Sequence, residues 1–143
     1  MGKNMYRPLK EVSLHGQKVY IGVIPSYERM GFWGIMEMFL YYRKKTPSGI
    51  VILMEEDELN QRFAGLDWKL LFRLIGCDIF HYPCRPLPQN TDTNGAQGIY
   101  NMLTQLGKKL KEGSLIFLSS EDGERCRYII SLLRCARRKP AGS

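Results

Sequence analysis

The chain has 143 residues, 44% of them hydrophobic, and carries a formal net charge of +7. That is enough for one ordinary core and too little for two domains. Its longest apolar run is well short of a membrane span, and MGKNMYRPLK at the start lacks the apolar centre of a secretory signal, so the expected setting is cytoplasmic or nuclear, with no membrane.

In chain order, KVYIGVI from Lys18 to Ile24 reads as a strand, with Pro25 and Ser26 turning the chain out of it. A helix follows, in which Phe32, Ile35, Met36, Phe39 and Leu40 recur at helical spacing and Gly31 and Gly34 weaken the first turns. Gly49 to Met54, GIVILM, is the second strand, and the acidic run Glu55 to Glu58 behind it reads as a solvated loop. Leu66 to Gly76 is a second helix stopped by its glycine, and CDIFHYP is the third strand. A proline-rich stretch from Pro83 to Asp92 leads into a helix through Ile99, Met102, Leu103 and Leu106 that ends near Gly113. SLIFL is the fourth strand, and the last helix runs from Arg125. Strands alternating with helices give an α/β fold: a single three-layer domain whose mainly parallel, four- to five-stranded sheet is flanked by helices. On this reading residues 1–17 are an N-terminal extension, 18–138 the domain and 139–143 a loose tail.

The cations are clustered. Arg43, Lys44 and Lys45 close one segment, Lys108, Lys109 and Lys111 a second, and Arg134, Arg137, Arg138 and Lys139 the last. Each cluster falls near a helix C-terminus, where positive charge suits the helix dipole, so capping accounts for them without a polyanion. The four cysteines, Cys77, Cys84, Cys126 and Cys135, have no paired spacing and read as reduced thiols.

The most telling stretch is Ser114 to Arg138. A strand, a polar loop and a helix in that order aim backbone N–H groups and the positive helix end at the loop, the geometry of an anion cradle. The loop itself is Ser119, Ser120, Glu121, Asp122, Gly123, Glu124 and Arg125. The succession YIGVIPS, IVILMEEDE, CDIFHYPCRPLP, a long helix, SLIFLSSEDGER and a final apolar helix resembles the small dual-specificity, cysteine-dependent protein phosphatases from about Lys18 to Arg138. The resemblance implies a phosphatase-like fold and places Arg125 at the arginine that grips phosphate.

The same resemblance implies what is missing. Counting back from Arg125 puts Ser119 where the family has its nucleophilic cysteine and Leu118 where it has a histidine, and the general-acid aspartate falls near Pro86, with Asp92 as the alternative. The family's thiolate is acidified by amides and a helix end, attacks phosphorus, and is helped by an acid that protonates the leaving group. A serine hydroxyl has no comparable acidity, and Leu118 offers no base. The two glycines of the family loop correspond to Asp122 and Glu124, with Gly123 displaced by one place. A carboxylate about 5 Å from an incoming phosphate charge costs about 3 kcal/mol at an effective dielectric of 20, more than Arg125 alone offsets against several acids. The expectation is a self-neutralised loop in which Arg125 pairs with a carboxylate, no catalytic residue, no cofactor and no metal.

Three functional readings follow. The first is a catalytically inactive, phosphatase-like domain that works by binding another protein. The second is an active phosphatase with Ser119 as an atypical or engineered replacement of cysteine, or with Cys126 as nucleophile, and Asp92 as acid. The third is a nucleic-acid-binding module, which the net charge permits. Other residues read as structural. Cys77 and His81 would sit roughly 13 Å apart along one strand face, too far to share zinc with Cys84. Cys126 reads as a packed core thiol, and Phe32, Trp33, Tyr41 and Tyr42 as an aromatic helix face turned to the core.

Overall fold

The computed structural model describes residues 9–14, 16–83, 95–120 and 123–137. Five strands, β1 (Lys10–Leu14), β2 (Gln17–Val23), β3 (Gly49–Ile52), β4 (Asp78–His81) and β5 (Leu115–Ser119), form one sheet in the order β1-β2-β5-β3-β4. The β1–β2 pair is antiparallel, and every other pairing is parallel. The described residues also form five helices: α1 (Tyr27–Lys44), α2 (Glu56–Arg62), α3 (Trp68–Arg73), α4 (Gly95–Leu110) and α5 (Glu124–Arg137).

The central strands GIVI and LIFLS are buried at every position, as parallel strands covered on both faces must be. Alternation along β5 divides the core. Ile116 and Leu118 pack with Ile35, Phe39, Tyr42, Phe63 and Phe72 beneath α1, α2 and α3. Leu115 and Phe117 pack with Met102, Leu106, Ile129 and Leu133 beneath α4 and α5. The result is a single α/β domain with a mixed five-stranded sheet between two helical layers. Because β2 and β3 lead into helices on one face and β5 into a helix on the other, the carboxyl end of β5 is a switch point, where open α/β sheets leave a crevice.

Three elements differ from the sequence reading. The strand β1 lies within the residues read as an extension, and Gly16 at φ +81° closes its turn onto β2. The acidic run is not a solvated loop: Glu55 caps α2 and Glu56, Asp57 and Glu58 form its first turn, where negative charge favours the helix dipole. The aromatic residues of α1 do not share one fate. Tyr42 is fully buried and Tyr41 partly, but Phe32 and Trp33 point outward. Within α1, Gly31 adopts φ +71°, so its first turn is kinked away from the helix proper.

Candidate functional site

The switch point is where the anion-cradle residues lie. Ile24 donates its N–H to the Ser119 carbonyl at 2.9 Å and Leu53 donates to that of Leu118 at 3.0 Å, which fixes the ends of β2 and β3 on either side of β5. An open cleft of 530 Å³ lies over these ends, lined by Ser26, Glu28, Met54, Glu58, Gln61, Arg62 and Ser120. Arg62 donates from Nη1 to the Ile24 carbonyl at 3.0 Å, tying α2 across to the end of β2.

Ser119 is the last residue of β5 and fully buried. Its Oγ is hydrogen-bonded to Cys126 Sγ at 3.2 Å, and both side chains are enclosed on the α5 side of the sheet. Cys126 is thus a packed core thiol, and the group beside the Ser119 hydroxyl is no general base. Leu118 points to the opposite face, into the cluster beneath α1.

Arg125, in the first turn of α5, is bound to Glu58 of α2. Its Nη1 donates to Oε1 at 2.8 Å and its Nη2 to Oε2 at 2.7 Å, a two-pronged fork, while Nη1 also donates to the Leu53 carbonyl at 3.3 Å. The Arg125 side chain is 5% exposed and that of Glu58 30%. Glu58 Oε1 also accepts the Glu55 N–H at 2.9 Å, half of a capping box that fixes the α2 N-terminus and the carboxylate together. The Arg125 guanidinium holds the Glu58 carboxyl below the usual carboxylate range against the opposing effect of burial, helped by the Glu55 N–H and the Arg62 charge. Among the described residues, Arg125 therefore has a carboxylate partner on α2, 67 residues away in sequence.

The described part of the loop is drawn in on itself. The N–H of Gly123 is directed at the Ser120 carbonyl, 3.1 Å away, so this amide closes a turn instead of facing the cleft. Gly123 needs its glycine: φ is +67°, and an added Cβ would lie 3.1 Å from Arg127 Nη1. Glu124, exposed, sets a carboxylate at the positive end of α5. Glu121 and Asp122 lie outside the described residues, as do Pro86, Asp92 and Cys84.

The remaining candidates have structural surroundings. His81 Nε2 is hydrogen-bonded to the Met54 carbonyl at 2.7 Å, and its ring meets Trp68 edge-on with centroids 5.0 Å apart. Cys77 is half-buried, and desolvation followed by the neighbouring Asp78 charge pushes its thiol up to about 11, away from metal-ligating or nucleophilic use. Among the described residues no three His, Cys, Asp or Glu side chains gather as a metal site would require. Of the cationic clusters, Lys109 is paired with Asp78 and Glu112, and Arg134 donates to the Ser13 carbonyl at 3.0 Å, binding α5 to β1.

Sequence reasoning missed Glu58. Two signals pointed to it: Glu55 and Glu58 have capping-box spacing ahead of the apolar Leu59, and the run follows directly on a buried strand. The charge of four consecutive acids concealed both.

No protein-family model matches the chain, and no curated protein does. Among solved structures, it is similar to kinase-associated phosphatase crystallised with its catalytic-site cysteine substituted by serine. The TM-score is 0.68 over 91% of this chain and 75% of that one, at 15% identity. The shared feature is the fold, that of the dual-specificity phosphatases: a five-stranded mixed sheet flanked by helices.

Proposed function

We propose that this chain is a phosphatase-fold domain without hydrolytic chemistry that acts by binding another protein. The observation that carries the reading is the fork between Arg125 and Glu58. A phosphoryl group reaching Arg125 must share the guanidinium with a carboxylate already held by two charge-assisted bonds and a helix cap, and that carboxylate repels the dianion by several kcal/mol at close range (about 3 kcal/mol per charge at 5 Å and a dielectric of 20). The buried Ser119 hydroxyl adds nothing that could replace a thiolate, since its neighbour is a thiol. A chain that keeps the scaffold without the reactive group retains surfaces for recognition.

The test is turnover of p-nitrophenyl phosphate and of phosphopeptides by the intact chain and by Arg125→Ala. The expected result is the same background rate for both. Hydrolysis by the intact chain that Arg125→Ala removes overturns the reading in favour of an active enzyme.

A further inference from the structure

The helix α1 carries apolar residues on its outer face as well as on its inner one. Its inner face carries Ile35, Met38, Phe39 and Tyr42 into the core, yet Trp33 is 78% exposed, Leu40 56% and Phe32 40%. Counting from Phe32, past the kink at Gly31, positions 33, 37, 40 and 44 lie one above another on the outer face, with 32 and 36 alongside. That face reads Trp33, Glu37, Leu40, Lys44, with Phe32 edge-on against Trp33 at 5.3 Å between ring centroids and with Arg43 beside its C-terminal end. The strip is roughly 17 Å long, about three helical turns. A helix with no apolar partner on such a face has one to acquire.

From this geometry we infer that the outer face of α1 is the docking surface of the protein-binding function proposed above, and that its occupant is an acidic, amphipathic helical segment of another protein. The apolar part sets the class of contact: Trp33 and Leu40, two turns apart, present the i and i+7 anchors that a helix laid alongside meets with its own. Charge selects the sign. Arg43 and Lys44 are exposed at one end of the strip, while Lys45 is drawn over the Tyr20 and Tyr41 rings. The two ends of the chain fit poorly, as does a second copy. Residues 1–8 hold Lys3 and Arg7 and no acid, residues 137–143 hold Arg137, Arg138 and Lys139 and no acid, and a second copy brings the same cations and a net charge of +7. An anionic lipid surface would match Arg43 and Lys44, but Glu37 stands exposed between Trp33 and Leu40, where it opposes such a surface and can receive a single donor from a protein.

The experiment uses the full chain and a fluorescein-labelled amphipathic peptide of about five helical turns, with leucines at i, i+3, i+4 and i+7 and flanking glutamates. Its counterpart carries lysines in place of the glutamates. Expected are anisotropy-detected binding of the acidic peptide below about 1 mM, none of the basic one, and a loss of about tenfold or more in Trp33→Ala and Leu40→Ala. Arg43→Glu with Lys44→Glu should also weaken binding and flatten its salt dependence. No binding of the acidic peptide, or binding indifferent to these exposed positions, overturns the inference. So does Trp33-dependent association with phosphatidylserine vesicles, or a Trp33-dependent dimer in sedimentation. Turnover that depends on Arg125 would remove the parent reading while leaving the peptide result intact, so the two failures are separable.

Discussion

Replacing Glu58 by glutamine tests the fork between α2 and α5 directly. The amide can still accept the Glu55 N–H, so the helix cap survives, but the Arg125 guanidinium, 5% exposed, loses the Glu58 charge. Separating a fully buried ion pair costs about 3 to 5 kcal/mol, and the 30% exposure of Glu58 places this pair toward or below the lower end, at about 2 to 3 kcal/mol. For a domain of this length about 4 °C of melting temperature accompanies each kcal/mol, so calorimetry should show a fall of about 8 to 12 °C. The reverse truncation, Arg125→Met, leaves a carboxylate that water reaches, and should cost less, about 1 to 2 kcal/mol. The cycle combining the two should return a coupling of at least about 1.5 kcal/mol.

The same pair fixes a pH dependence. Because the folded pKa of Glu58 is lowered, its contribution is fully present above the unfolded carboxylate value of about 4.3 and is lost as pH falls through the folded value. The gap in melting temperature between the intact chain and Glu58→Gln should therefore be widest near neutrality and close below about pH 4. A shift at neutral pH under about 3 °C, or a gap that does not narrow in acid, would refute the argument that this fork stabilises the contact of α2 with α5.

Two further predictions concern the loop. Ser119→Cys places a thiol where an oxygen now sits 3.2 Å from Cys126 Sγ; oxidation should close that to a disulfide of about 2.05 Å, removing two titratable thiols per chain, while the reduced form should hydrolyse no p-nitrophenyl phosphate above background. A thiol count unchanged by oxidation, or turnover in the reduced variant, contradicts this. Gly123→Ala should lose about 1 to 2 kcal/mol from its positive φ and its contact with Arg127, seen as a lower midpoint in urea with an unchanged slope; an unaltered midpoint would mean the turn is not strained.

Legibility followed burial. GIVI and LIFLS are continuous apolar runs because both sheet faces are covered, and from them and the intervening helical periods the α/β layering could be read. Strand β1 escaped because KEVSL is an edge strand, mostly exposed, whose weak alternation looks like loop. Helix α1 misled in another way. Large apolar residues lie on both its faces, so their period alone does not say that Tyr42 turns in and Trp33 out; the sheet decides. At the site, the strand, loop and helix could be placed from sequence because they are contiguous. The pairing of Arg125 with Glu58 could not, because Glu58 is 67 residues away and becomes its neighbour only through the placement of β3 beside β5.

That adjacency bears on what a cysteine placed at position 119 would meet. A nucleophilic thiolate at the end of β5 needs surplus positive charge from Arg125, from loop amides and from the α5 N-terminus. Here the first is matched by Glu58, the Gly123 amide is turned to Ser120, and the third is met by Glu124. A cysteine at position 119 would find Arg125 and the Gly123 amide already engaged and a second thiol within reach. Freeing the Arg125 charge for such a thiol would require removing the charge of Glu58, at the cost in folding stability worked out above, so the stability this ion pair contributes and the acidity of a thiol at position 119 are set against each other.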